Sequence, residues 1–197
     1  MITDCTALIL AGGSSTRMGR DKTLLELEGQ TLLQRIIDEM QGIFPEALVS
    51  VRHLRPDVAV TQICDEMPDA GPLAGVCAGL ARAKTPWVFA IAADMPFVDP
   101  AVVCSLAQWR SQGNAVVPVV QGFPQPLSAF YAKETLAVFE EALVGVGSRS
   151  LRSVLERLDV CRVDENHLLR SDPSLRSFID LDTPEDFARV INGRAGQ

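Results

Sequence analysis

Short apolar runs alternate with helix-like stretches along this chain of 197 residues, and the alternation constrains the fold more than any other feature. Residues 6–10, 47–51 and 58–64 predict strands. The run "WVFAIAAD" at 87–94 is the most apolar, as expected of a strand in the middle of a sheet that is covered on both faces. Strands separated by helices predict an α/β fold, a three-layer sandwich with a mostly parallel central sheet.

Helices are predicted between these strands, and the pattern becomes less regular toward the end. The remaining predicted elements are helices at 31–43, 72–83, 100–112, about 133–143 and 149–158, and strands at 115–120, 127–132 and 159–163. Because region 113–163 is the least regular, we expect a small antiparallel element at one edge of an otherwise Rossmann-like sheet. The last segment, 178–191, predicts a strand and then a helix capped by Thr183. The sequence contains no linker or repeat, so we expect a single domain over residues 1–197.

Charge and composition limit the partners and the compartment. A formal net charge of −7 and a pI of about 4.8 provide no basic footprint for nucleic acid. The five cysteines form no C-x-x-C pair, which predicts buried, reduced thiols and a reducing compartment. The first residues do not have the pattern of a signal peptide, and no apolar run approaches the roughly 20 residues of a membrane span. We therefore expect a cytoplasmic protein that binds neither nucleic acid nor a membrane.

The loop after the first predicted strand, "AGGSSTRMGRDK" at 11–22, has the composition of a phosphate-binding site. Gly12 and Gly13 allow positive φ values and a close approach of the backbone to a ligand, and successive N–H groups there suit an anion. Arg17 and Lys22 add cations that suit phosphate oxygens. The spacing matches neither the dinucleotide pattern G-x-G-x-x-G nor the P-loop pattern G-x-x-x-x-G-K-[ST]. The alternative interpretation is an ordinary strand-to-helix turn with solvated charges.

Asp94 ends the most apolar predicted strand, where a carboxylate is costly to bury without a partner. One interpretation is a ligand of Mg²⁺, a hard cation that prefers carboxylate and phosphate oxygens. The alternative is a helix cap or a salt bridge, although Asp99 already suits the cap of the next helix. Because ligands of open α/β sheets bind beyond the carboxyl ends of the strands, Asp94 and the glycine loop are both candidates for such a site.

The segment "LAGGSSTRMGRDK" at 10–22 resembles the signature L-A-G-G-x-S-x-R-M-G-x-D-K of molybdenum cofactor guanylyltransferases, which belong to the MobA-like nucleotidyltransferases. The similarity continues in a D-x-P motif at Asp94, in "GPLAG" at 71–75 and in "FPQPLSAFY" at 123–131, and it covers nearly the whole chain. One departure lies at the end of the second predicted strand. The family often has an asparagine there, and this chain reads "LVSVRH" at 48–53.

The resemblance implies an enzyme that transfers GMP from GTP to the terminal phosphate of molybdopterin, releases pyrophosphate and forms the guanine dinucleotide cofactor. It implies Mg²⁺ held by Asp94 and catalytic roles for Arg17, Lys22 and Asp94. The implied nucleotide-binding residues are Leu10, Ala11, Gly12, Gly13, Lys22, Asp65 and Asp94.

The partners implied by the resemblance are the two substrates, GTP and molybdopterin or molybdenum-loaded molybdopterin. We also expect transient contacts with other proteins of cofactor biosynthesis or with apo-molybdoenzymes, and we expect a monomer. Three alternatives stay open: a molybdopterin cytidylyltransferase, a nucleotidyltransferase that acts on a sugar phosphate, and a non-catalytic nucleotide-binding or cofactor-delivery protein.

Overall fold

The secondary structure follows the predicted alternation of strands and helices. The structure, a computed structural model, describes residues 1–12, 22–64, 67, 70–145, 149–181 and 186, with Lys22 described by its backbone alone. The strands, in chain order, are β1 (Cys5–Leu10), β2 (Glu26–Leu27), β3 (Gln30–Thr31), β4 (Glu46–Val51), β5 (Thr61–Cys64), β6 (Trp87–Ala92), β7 (Ala115–Val120), β8 (Phe123–Pro124), β9 (Ser128–Ala132) and β10 (Val160–Val163).

Most of the helices lie between these strands, as expected for βαβ connections. The α-helices are α1 (Leu32–Ile43), α2 (Pro72–Arg82), α3 (Pro100–Ala107), α4 (Leu136–Val144), α5 (Leu151–Leu155) and α6 (Glu165–Leu168). Short 3₁₀ turns occur at Lys22–Leu24, Arg110–Gln112, Lys133–Thr135 and Arg176–Phe178. In the described ranges, no helix is both long and apolar enough to cross a membrane.

One sheet connects most of the strands, in the order β10-β7-β9-β6-β1-β4-β5, with β8 paired to β7. Strands β6, β1, β4 and β5 are parallel neighbours, whereas β9 runs antiparallel between β6 and β7. The predicted antiparallel element is therefore confirmed, on the side of the sheet that follows β6. The short strands β2 and β3 form a separate antiparallel pair.

Two apolar clusters cover the two faces of the sheet, which gives the predicted three layers. Successive residues of β1 alternate between them, because Ala7 and Ile9 face one cluster and Leu8 faces the other. The first cluster packs α1, α3 and α6 against the sheet, and the second packs α2, α4 and α5. The most apolar strand, β6, contributes to both clusters, as predicted for a strand covered on both faces.

Helix α2 packs closely against the sheet because it presents glycines to it. A Cβ atom on Gly79 would clash with Cδ2 of Leu8, and one on Gly75 would lie 2.7 Å from Cδ2 of Leu10. Neither contact has room for a larger residue unless the leucine moves. The small residues of α2 thus fix the position of its N-terminus relative to the end of β1.

Several predicted boundaries differ from the structure. The strand expected at 58–64 begins only at Thr61, because the Gln62 amide closes the preceding loop with hydrogen bonds to the carbonyls of Arg55 and Val58. The helix expected at 100–112 ends at Ala107 and is followed by a 3₁₀ turn. The strand expected from 178 is wrong over the described residues, where a 3₁₀ turn ends at Phe178 and irregular backbone follows. The helix cap expected at Thr183 lies outside the described residues.

The cysteines only partly follow the prediction. All five are free thiols, as expected, and Cys5 and Cys77 are buried. Burial raises the pKa of the Cys77 thiol to about 11, with a smaller contribution from the charge of Glu140, so the thiol is protonated at neutral pH. Cys64 and Cys104 are exposed, so the expectation of burial was wrong for them.

Candidate functional site

The carboxyl ends of β1, β4 and β6 meet at one edge of the sheet, and the glycine loop begins there. The N–H of Ala11 donates to the carbonyl of Ser50 at 2.9 Å, and the N–H of Ala93 donates to the carbonyl of Leu10 at 3.0 Å. These bonds connect the start of the loop to the strand on each side of β1. Leu10, Ala11, Gly12 and Asp94 are therefore brought to one edge, as ligand sites of open α/β sheets require.

Arg52, just after β4, holds the first described glycine of the loop. Its Nε–H donates to the carbonyl of Gly12 at 3.0 Å, although the side chain is largely exposed. A charged donor makes a stronger hydrogen bond than a neutral one. The sequence leaves the contacts of the 48–53 segment unassigned, and this hydrogen bond is one of them. The only signal in the sequence was the departure from the asparagine that the family often has there.

A cavity of about 340 Å³ opens beside Gly12 and Arg52, between the loop after β4 and the 3₁₀ turn at Lys22–Leu24. Its lining includes the guanidinium of Arg55, which donates to both carboxylate oxygens of Asp57 at 3.3 and 2.7 Å. The hydrogen bonds from Arg55 lower the pKa of Asp57. Among the described lining residues, two guanidinium groups and one carboxylate give this wall excess positive charge, which suits an anionic ligand.

Asp94 lies in the turn that follows β6 and is partly buried. Its carbonyl accepts from the N–H of Leu181 at 2.9 Å, and the N–H of Met95 donates back to the carbonyl of Ala92 at 3.3 Å. The alternative interpretation of Asp94 as the helix cap is wrong, because the carboxylate of Asp99 accepts from the N–H of Ala101 at 2.7 Å and caps α3.

The segment before β9 reaches the same strand end. The N–H of Ala92 donates to the carbonyl of Leu127 at 3.3 Å, and Ser128 pairs with Ile91 across the antiparallel ladder. The hydroxyl of Ser128 is fully buried, and among the described residues it has no hydrogen-bond partner. A buried hydroxyl without a hydrogen-bond partner lowers the stability of the fold, so this hydroxyl is a candidate polar contact for a ligand where β6 and β9 meet. Sequence reasoning did not single out this hydroxyl.

Helix α2 begins at this edge with a glycine in a conformation that other residues rarely adopt. Gly71 has φ 57° and ψ −148°, and Pro72 follows at the first helical position. Gly71 provides no side chain to cap the helix, and the positive end of the helix dipole at this edge suits an anion. This arrangement gives a physical reason for the "GPLAG" motif at 71–75.

Several predicted site residues fall outside the described part of the chain. Gly13, Arg17 and Asp65 belong to this group, and of Lys22 only the backbone is described, at the start of a 3₁₀ turn. Their predicted contacts with a nucleotide therefore stay predictions.

Residues 7–163 match the family model described as "MobA-like NTP transferase domain". The chain is 36% identical over 193 residues to a probable molybdenum cofactor guanylyltransferase of Chloroflexus aggregans, with 94% of this chain and 92% of that protein covered. It is 41% identical over 157 residues to a protein of the same description from Opitutus terrae, with 76% and 77% covered.

Solved structures give the same result at the level of the fold. Molybdopterin-guanine dinucleotide biosynthesis protein A from Archaeoglobus fulgidus superposes with a TM-score of 0.85 at 27% identity, covering 98% of this chain and 100% of that one. The 2-C-methyl-D-erythritol 4-phosphate cytidylyltransferase of Thermus thermophilus superposes with a TM-score of 0.65 at 17% identity, covering 93% and 95%, which shows a shared fold alone. From the family match and these relatives, the chain belongs to the MobA-like NTP transferase family.

Proposed function

We propose that this chain is a molybdenum cofactor guanylyltransferase. It transfers GMP from GTP to the terminal phosphate of molybdopterin, releases pyrophosphate and forms the guanine dinucleotide cofactor. The family match and the descriptions of the relatives support this reaction. The observation that carries it is the Leu10–Ala93 hydrogen bond of 3.0 Å, because it brings the glycine loop and the Asp94 turn to one edge of the sheet.

The reaction needs no nucleophile from the protein. An oxygen of the acceptor phosphate forms a bond to the α-phosphorus of GTP, and the bond from that phosphorus to the bridging oxygen breaks to release pyrophosphate. The protein's part is positioning and charge stabilisation. The backbone of Leu10, Ala11, Gly12 and Gly13 and the carboxylate of Asp65 hold the nucleotide. Arg17 and Lys22 neutralise the phosphates and the departing pyrophosphate.

Asp94 would hold the metal of the nucleotide complex. The family generally uses a divalent metal, and the oxygen donor of Asp94 is the ligand type that Mg²⁺ prefers. Within the described ranges, no group of three or more acidic, histidine or cysteine side chains forms a metal cage. Mg²⁺ is usually held by one or two carboxylates together with substrate phosphates. When bound, Mg²⁺ neutralises negative charge on phosphate oxygens.

The remaining expectations complete the proposal. The chain acts as a single domain and as a monomer in the cytoplasm. GTP and molybdopterin are its substrates, and it meets other cofactor-biosynthesis proteins or apo-molybdoenzymes only transiently.

Pyrophosphate release tests the proposal directly. The chain is incubated with Mg²⁺ and each nucleoside triphosphate in turn, either without an acceptor, with molybdenum-loaded molybdopterin, or with a sugar phosphate. We expect release with GTP only when the acceptor is present. Pyrophosphate release that is much faster with CTP than with GTP would indicate a cytidylyltransferase. Pyrophosphate release with a sugar phosphate as the acceptor would indicate a nucleotidyltransferase that acts on sugar phosphates. Binding of GTP without any release would indicate a non-catalytic nucleotide-binding protein.

A further inference from the structure

Residues 172–181, here called the C-terminal brace, contact the turn at residues 94–99 at three points. The N–H of Leu181 donates to the carbonyl of Asp94 at 2.9 Å, at the start of the turn. The guanidinium of Arg176 lies 4.9 Å from the ring centroid of Phe97, in its middle. At its end, the N–H of Asp99 donates to the hydroxyl of Ser177 at 3.0 Å. The brace thus contacts the beginning, the middle and the end of the turn that carries Asp94.

Asp172 organises the brace from within. One carboxylate oxygen accepts from both the N–H and the hydroxyl of Ser177, each at 2.8 Å. The other accepts from the N–H and the hydroxyl of Ser174, at 3.2 and 3.0 Å. Asp172 is only 6% exposed, so these four bonds replace the water that the carboxylate would otherwise have. They also orient the Ser177 hydroxyl, whose proton goes to Asp172 while its oxygen accepts from Asp99.

The backbone of the brace adopts a conformation that requires such support. Leu175 has φ 52°, a left-handed conformation that is unfavourable for a residue with a side chain. At the far end of the brace, Leu181 is fully buried and packs with Leu27 and Leu32 in a small apolar cluster. One end of the brace is therefore fixed by hydrogen bonds and the other by burial, with the turn held between them.

We propose that Asp172 is a positioning residue for the metal site. Through Ser177, it holds the 94–99 turn in the position in which the Asp94 carboxylate can bind the metal of a bound nucleotide. The inference rests on the proposed role of Asp94 as the metal ligand. Partners one step removed from a metal ligand commonly affect metal affinity by about 10- to 100-fold. Asp172 reaches the turn through two hydrogen bonds in series, from Asp172 to Ser177 and from Ser177 to Asp99. We therefore expect the loss of metal affinity on removing its carboxylate to lie at the lower end of that range.

The experiment measures how tightly the purified full-length chain binds GTP with and without metal. Isothermal titration gives the dissociation constants of Mn²⁺–GTP and of GTP in EDTA. For Asp172→Asn we expect Mn²⁺–GTP binding to weaken by about 10-fold while metal-free GTP binding stays within about 2-fold. In the transfer assay, we expect the Mg²⁺ concentration for half-maximal rate to rise and excess Mg²⁺ to restore part of the rate.

Asp164→Asn is the matched control. Asp164 is also an aspartate that accepts a backbone N–H, from Asn166 at 2.8 Å, and it caps the short helix α6. It belongs to neither the brace nor the turn. We expect this variant to bind Mn²⁺–GTP and metal-free GTP as the unmodified chain does.

A second variant decides the question if Asp172→Asn does not fold. Ser177→Ala removes the hydroxyl that accepts from Asp99 but keeps the bond from the Ser177 N–H to Asp172. We expect the same selective loss of Mn²⁺–GTP binding, by a smaller factor. An equal loss of affinity for Mn²⁺–GTP and for metal-free GTP would overturn the inference, as would unchanged affinity for Mn²⁺–GTP in a folded variant. If the unmodified chain bound GTP equally with and without metal, the proposed role of Asp94 would itself fail, and the inference with it.

Discussion

The two halves of the candidate site are built in different ways. At the end of β1, the chain from Leu10 to Gly12 is held mainly by main-chain hydrogen bonds to the neighbouring strands, and Arg52 adds one side-chain contact. At the end of β6, the 94–99 turn is held by a distant segment, the C-terminal brace. The first half is thus a product of the sheet itself. The second depends on a contact between parts of the chain that lie about 80 residues apart.

The contrast has a consequence for substitutions. A ladder of backbone bonds depends little on which side chains are present, so single substitutions at the β1 end should act through chemistry rather than through position. The 94–99 turn has one main-chain bond to the brace, but its other two contacts use the side chains of Ser177 and Arg176, so it is sensitive to changes in them. Substitutions at the four residues considered next should therefore separate loss of a charge from loss of a position.

Asp94→Asn should have the largest effect. The amide keeps the size of the side chain but has no negative charge for a metal, so we expect GMP transfer to fall by roughly 10³-fold, more than for a partner one step removed. Rates measured across a range of Mg²⁺ concentrations test this, with circular dichroism to confirm the fold. A rate within about 10-fold of the unmodified chain would exclude Asp94 as the metal ligand.

Lys22→Ala should come next. We expect a folded protein whose GMP transfer is lower by roughly 10²-fold or more, the scale of losing one charge partner of a transition state. The loss should fall mainly on kcat, because the pyrophosphate charge develops as the reaction proceeds. Arg82→Ala, at the opposite end of α2 from the site, is the control and should leave the rate unchanged. Near-normal turnover of Lys22→Ala would remove Lys22 from the mechanism.

The sequence predicted the fold well where the signal is local. The run 87–94 was apolar enough to identify β6 as a strand covered on both faces, and "GPLAG" at 71–75 correctly begins a helix. The final predicted strand was wrong because an apolar pattern indicates which residues are buried but not which element they pack against. Leu181 is buried as its pattern suggests, but it packs beside Leu27 and Leu32 instead of in the sheet.

The site was predictable only in part, for the same reason. Glycines and cations close together in one loop are visible in the sequence, and so is a carboxylate at the end of an apolar strand. The contact of Arg52 with Gly12 and that of Ser177 with Asp99 join residues far apart in the chain, so only the folded structure reveals them. Such contacts follow from topology, which periodicity does not encode.

Arg52→Ala should have a smaller effect than either catalytic change. The bond from Arg52 to the Gly12 carbonyl is exposed, so its loss should cost about 1 kcal/mol, or roughly 5-fold in the KM for GTP with kcat nearly unchanged. Arg52→Lys keeps the charge but lacks the planar Nε–H donor. Its KM for GTP should stay close to that of Arg52→Ala if the hydrogen bond matters, and close to that of the unmodified chain if only the charge matters. Steady-state kinetics of both variants distinguish these outcomes. An unchanged KM in Arg52→Ala would show that the main-chain bonds alone hold the loop.

The smallest expected effect is an acid sensitivity of the C-terminal brace. Burial raises the pKa of Asp172, but hydrogen bonds from Ser177, Ser174 and the backbone of Arg176 outweigh it and leave the pKa below its usual value. A carboxyl whose pKa is lowered by folding stabilises the protein above its unfolded pKa of about 3.9, and this contribution is lost as the pH falls toward its folded pKa. Asp172→Asn has no such group to titrate. The difference in Tm between the unmodified chain and this variant should therefore be constant from pH 7 to about pH 5 and narrow below it. Thermal unfolding across this range measures the difference, and a gap that stayed constant down to the acid limit of folding would mean that Asp172 stabilises the brace without being ionised.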